Sequence, residues 1–196
     1  MTYKGLQSAV SDDAPHLGGN IKVGDPFTYC PTLWDYVIAR FGIDSVLDLG
    51  SGSGYASFYF YRKGLKVIAV DGLESNVRTA IYPTIRHDLT LSPILTKVDL
   101  VHCHEVVEHI EEAFLDNLLS SLMCGRVILM THAVPGQGGY HHVNLQPSEY
   151  WINHLVARGA TYLEEDSQRI RRLAMSDGAV YMQATGMLFA NSARIA

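Results

Sequence analysis

No stretch of the 196 residues approaches the roughly 18 uninterrupted apolar residues a membrane helix needs, and residues 1–19 hold no apolar core of signal-peptide character. The expectation is a soluble, cytoplasmic protein with no membrane partner. Cysteine is scarce. Cys30, Cys103 and Cys124 are odd in number and unpaired in spacing, which excludes a disulfide framework and fits reduced thiols. Positive charge is also short. Fifteen Lys and Arg against twenty Asp and Glu give a net charge of −5, which disfavours attraction to phosphate backbones, so nucleic acid is not the expected partner. Internal repeats and low-complexity tracts are missing, and nothing in the pattern signals an oligomeric state.

What is present is a chain 47% hydrophobic, enough for one domain with a sizeable core. Residues 1–27 are polar, punctuated by Gly18-Gly19 and Gly24-Asp25-Pro26, and read as an N-terminal arm; residues 28–196 read as a single domain. Leu33, Trp34, Val37, Ile38 and Phe41 recur at helical spacing between Pro31 and Gly42. Apolar runs then predict strands at 45–49, 66–70, 84–87, 98–103 and 126–131, with helices at 55–63, 74–81, 111–123 and 147–157 and last strands at 160–165 and 185–190. Alternating strand and helix predicts a parallel α/β sheet. Between the third and fourth strands Thr90 to Lys97 contain Pro93, so the crossover there is predicted to shrink to a turn.

The most informative segment is Asp48-Leu-Gly50-Ser51-Gly52-Ser-Gly54, which follows the first strand and precedes a helix. Alternate glycines lack the Cβ that would keep a ligand away and accept positive φ, as a turn cradling a nucleotide-like cofactor requires. A nicotinamide fingerprint starting at Gly50 needs a glycine at 55, where Tyr55 stands. Asp71, twenty-one residues beyond Gly50, closes the second strand, where a carboxylate can accept from both ribose hydroxyls.

Motif I of the class I S-adenosylmethionine-dependent methyltransferases is what this acid and glycine pattern resembles. Asp99-Leu-Val through Glu105-Val-Val-Glu108-His109-Ile110 resembles the fourth-strand segment of small-molecule methyltransferases, including those of ubiquinone biosynthesis. The resemblance implies a Rossmann-like, doubly wound, three-layer α/β/α fold with seven strands, the last antiparallel. It implies S-adenosylmethionine as cofactor, S-adenosylhomocysteine as product and a small-molecule acceptor methylated on oxygen or nitrogen. Gly50, Ser51, Gly52, Gly54 and Tyr55 then surround the amino-acid part, with Asp48 supporting the turn. Asp71 takes the ribose, Gly72 lets adenine approach, Asp88 and Leu89 meet adenine, and Glu105 lines the methionine end.

In-line methyl transfer needs donor and acceptor held collinear, and an acceptor protonated at neutral pH also needs a base, for which histidine is best suited. His109, His132, His141 and His142 sit near strand ends or in the glycine-rich loop 132–144; His142 and His109 are the candidate catalytic residues, a structural role being the alternative for each. Tyr29 is a residue that the arm could fold over the cofactor. The set Glu105-x-x-Glu108-His109 with a later histidine also resembles the metal-binding residues of small-RNA 3′-terminal 2′-O-methyltransferases, although the expected site holds no metal. A non-catalytic S-adenosylmethionine-binding regulator is the remaining alternative. Arg169, Arg171 and Arg172 read as a solvated helix face, or else as a clamp for an acidic acceptor.

Overall fold

A computed structural model describes residues 8–9, 14–17, 20–21 and 24–191; Gly18-Gly19 of the arm lies outside them. Within the arm, β1 (Ser8–Ala9) and β2 (Asn20–Ile21) pair antiparallel, and short 3-10 turns span Pro15–Leu17 and Pro26–Thr28. The chain then runs α1 (Pro31–Phe41), β3 (Ser45–Leu49), α2 (Tyr55–Arg62), β4 (Lys66–Asp71), α3 (Glu74–Thr79), β5 (Thr84–Arg86) and β6 (Val98–Cys103). It continues through α4 (Leu115–Leu122), β7 (Gly125–Met130), α5 (Ser148–Ala157), β8 (Ala160–Tyr162), α6 (Glu164–Asp177), α7 (Val180–Thr185) and β9 (Met187–Asn191). The main sheet has seven strands in the order β5-β4-β3-β6-β7-β9-β8, with β9 antiparallel to both neighbours.

Strand alternation divides the core into two layers. Leu47, Val101, Cys103 and Ile128 face α4 and α5, packing on Leu118, Leu122 and Trp151. Val46, Leu100, Val127 and Leu129 face the other way, onto Trp34, Phe60 and Ile170 of α1, α2 and α6. Both faces are covered, so the strands read as nearly continuous apolar runs.

Most predicted elements appear within two or three residues of their expected ends. The helix expected at 111–123 begins as a 3-10 turn, Glu112–Phe114, before α4 proper. The crossover between β5 and β6 is indeed helix-free, pinned where Ser121 Oγ accepts from the Ile94 amide at 2.9 Å. β8 stops at Tyr162 and not 165, because Glu164, Glu165 and Asp166 form the acidic first turn of α6, where the helix dipole favours them. Neither α6 as a whole nor α7 was expected. Beginning at β3, β4 and β6, the carboxyl-terminal strand ends open on one edge, the place where open α/β sheets bind ligands.

Candidate active site

The glycine turn is built as its sequence suggests. Gly50, Gly52 and Gly54 have φ of 74°, 55° and 81°, and the amides of Gly50 and Ser51 both donate to the Val70 carbonyl at 2.8 and 2.9 Å. A Cβ at Gly50 would lie 2.3 Å from Val106 Cγ2, so glycine is demanded there by both conformation and space. Gly54, left-handed, begins α2. The Ser51 hydroxyl is buried without a partner.

Asp71 ties this turn to the second strand. Its Oδ2 accepts from the Gly52 amide at 2.8 Å, and its Oδ1 accepts from the Leu73 amide at 2.9 Å and Asn76 Nδ2 at 3.1 Å. Burial raises its pKa against those hydrogen bonds. Asp48 works differently. It reaches no turn amide but accepts from Ser57 in the first turn of α2 and pairs with His102 Nδ1 at 2.7 Å, steadying the turn through its flanks. Asp88 is the third acid: Thr90 donates to Oδ1 through its amide and hydroxyl, and His16 Nε2 lies 3.0 Å from Oδ2. Burial pushes Asp88 up, but His16 and Thr90 outweigh it and hold its carboxyl below the usual range.

The segment after β6, packed on this turn through Val106, forms a second wall. Glu105 adopts φ 54°, its amide donating to Thr131 Oγ1 at 2.8 Å, and Gln137 Nε2 reaches its Oε2 at 3.4 Å. Glu108 is fully buried, its carboxyl set beside that of Glu105 and the Ala133 backbone. Burial, then the neighbouring Glu105, pushes Glu108 well above the ordinary glutamate range, and burial raises Glu105 too. Loop 132–144 folds onto this wall because the Val143 and Asn144 amides both donate to the Glu108 carbonyl, at 3.0 and 3.1 Å. That brings the His142 ring to 5.0 Å from His109, centre to centre, with Gly139 packed so closely on His142 that a Cβ would collide with the ring. Burial lowers both histidines, His109 to about 4, so both are neutral at pH 7. One ligand atom from each of Glu108, His109 and His142 lies within 4.8 Å of the others.

One cavity of about 1270 Å³ joins these parts. It is lined by Asp48, Gly50 to Gly52, Tyr55, Asp71, Gly72, Asp88, Leu89 and Glu105, and also by Glu108, His109, His142 and Tyr29. Gly54 shapes the turn without lining the cavity. Of the other histidines singled out, His132 is turned away: its ring nitrogens bond the Ala133 carbonyl and Ser148 Oγ, and it packs beside Trp151. His141 is held at φ 51° outside the lining. The arginines do not reach the cavity. Arg169 stacks on Tyr36, and Arg171 donates to the Gly186 carbonyl at 2.8 Å.

Sequence reasoning passed over His102, His104 and Tyr181. His104 lines the cavity with both ring nitrogens buried and unpartnered, and burial lowers it to about 3. Tyr181, on the unexpected α7, is pushed up to about 12 by burial and by Asp25 and Glu105. The signal for the histidines was their alternation, His102-Cys-His104, which puts both on the face of Asp48. Tyr181 left no local signal. Among the described residues lining the cavity there are several carboxylates and neither a lysine nor an arginine, a charge pattern suited to a cationic ligand.

The family model for the methyltransferase domain matches residues 47–123, from the middle of β3 through the end of α4. The ubiquinone biosynthesis O-methyltransferase of Rickettsia typhi is 32% identical over 88 residues, 39% of this chain. The match spans only 36% of that relative's length. Among solved structures, the plantazolicin methyltransferase BamL aligns with a TM-score of 0.57 at 11% identity, covering 81% of this chain and 80% of that one. The cyclase SpnF aligns with a TM-score of 0.54 at 14% identity, covering 82% and 79%. At those identities the likeness is one of fold.

Proposed function

We propose that this chain is a class I S-adenosylmethionine-dependent methyltransferase that moves the sulfonium methyl to an oxygen or nitrogen of a small-molecule acceptor, releasing S-adenosylhomocysteine. The observation that carries this reading is convergence: the glycine turn, Asp71, Asp88 and Glu105 come from four separate strand ends and border one cavity. Its acidic lining favours a cofactor bearing a sulfonium and an ammonium. Asp71 is placed to receive the ribose hydroxyls, and Glu105 to offset charge at the methionine end. The acceptor sits against the wall of Glu108, His109 and His142, held in line with the methyl group so that positioning supplies much of the acceleration. His142, the less enclosed of the two histidines, takes the acceptor's proton. Thermal-shift screening against S-adenosylmethionine, S-adenosylhomocysteine and NAD tests the cofactor: stabilisation by the first two alone supports the reading, and stabilisation by NAD alone contradicts it.

One observation favours a second reading of the acceptor wall. The ligand atoms of Glu108, His109 and His142 lie within 4.8 Å of one another, and Glu108 is buried beside a second carboxyl, that of Glu105. Two imidazoles and carboxylates suit a divalent cation, which when bound lowers the pKa of an acceptor hydroxyl. In that case the histidines are ligands and not bases. Chelation followed by magnesium or manganese return separates the readings: activity restored by metal supports the second, and activity indifferent to chelator supports the first.

A further inference from the structure

We infer that the N-terminal arm completes the adenine end of the cofactor pocket, Leu17 supplying the apolar surface that position 72 lacks and His16 orienting Asp88 toward the adenine amino group. This rests on the cofactor reading above. Gly72 is not among the glycines of positive φ, so its backbone does not require glycine. Space does. A Cβ at Gly72 would lie 2.6 Å from Leu17 Cδ2 and 3.4 Å from the His87 carbonyl oxygen. The position directly after the proposed ribose-binding acid thus has its side-chain space filled from the arm, and Leu17, Gly72 and Leu89 all line the cavity.

Asp88 shows the same dependence on the arm. Its Oδ1 already accepts two hydrogen bonds from Thr90, at 2.8 and 2.7 Å. Its Oδ2 has only His16, at 3.0 Å, and keeps a lone pair for one more donor. A base whose sugar lies at Asp71 and which offers an exocyclic amino group meets that oxygen. A keto group at the same place meets two acceptors face to face, so the pair selects adenine over a 6-keto purine.

Calorimetry with S-adenosylhomocysteine and its 6-keto analogue, S-inosylhomocysteine, tests the inference. Leu17→Ala is expected to weaken S-adenosylhomocysteine binding about tenfold, the order expected for lost apolar burial, with the ligand-free melting temperature little changed. His16→Ala is expected to shrink the preference for the adenine ligand over the keto analogue, and His16→Gln, which still donates to Asp88, to restore it. A purely structural pairing would leave that preference unmoved, and this result overturns the role of His16. Equal or tighter S-adenosylhomocysteine binding by Leu17→Ala overturns the role of Leu17, the tighter case meaning that the arm plugs the site. If the wild-type protein binds neither ligand, the cofactor reading falls and the inference falls with it.

Discussion

At the residue scale, the buried acids carry the clearest consequences. Glu108 is ionisable, wholly enclosed and set beside the Glu105 carboxyl, an arrangement that costs stability whenever it is charged. Its folded pKa is raised above the unfolded value, so its contribution is most favourable below the ordinary glutamate pKa and is lost as pH rises toward the folded value. Glu108→Gln should therefore raise the ligand-free melting temperature at pH 8 by several degrees and change it little at pH 4. His109 has the opposite sign. Its folded pKa of about 4 lies below the unfolded value, so it stabilises above roughly pH 6.5 and that stability drains away as pH falls toward 4. Urea titrations from pH 4 to 7 should show a stability rise that His109→Asn flattens. Gly50→Ala imposes both a positive φ and a Cβ clash with Val106, and should cost about 1–3 kcal/mol in the same assay.

Residue chemistry was legible where the pattern was local. Gly50, Gly52 and Gly54 show in the sequence because a turn with three positive φ values must be spelled in glycine. The partners of Asp48 were not legible: the sequence suggests a carboxylate bonding its own turn, whereas the fold sets it opposite His102 on the neighbouring strand. A cross-strand partner depends on register, and register is written in the whole sheet. Gly72 was legible as a glycine but not for its reason, since Leu17 meets it from 55 positions away.

At the scale of elements, helices with apolar stripes were readable and polar ones were not. α4 buries Leu115, Leu118, Leu119 and Leu122 along one face. α6 buries only Ser167, Ile170 and Ala174 over fourteen residues, so its periodicity is faint and its arginines look like surface alone. What fixes α6 is partly polar: Ser167 Oγ donates to the Leu163 carbonyl at 2.7 Å and accepts from the Leu188 amide at 2.9 Å, joining helix to β9. Ser167→Ala leaves the buried Leu188 amide without that acceptor. The expected loss is about 1–2 kcal/mol in chemical denaturation, with ligand affinity unchanged because the bond lies away from the cavity. α7 has six residues and no stripe long enough to detect, yet it delivers Tyr181 to the cavity.

At the scale of the whole molecule, the parallel sheet follows from the chain's own alternation, while the antiparallel β9 was implied only by resemblance. β9 enters between β7 and β8, and nothing in a five-residue apolar run states its direction. The cavity is likewise a property of the assembled sheet, gathering side chains from residue 16 to residue 181. No described helix is long and apolar enough to cross a membrane. The proposed activity depends on the grip of the β4 acid on an adenosyl ligand held by the β3 turn. Calorimetric titration of S-adenosylhomocysteine into wild type and Asp71→Ala tests this most directly. A single site is predicted, weakened in the variant by about 2–3 kcal/mol, the order of a lost charge-assisted hydrogen bond; undiminished affinity in a folded Asp71→Ala protein would contradict it.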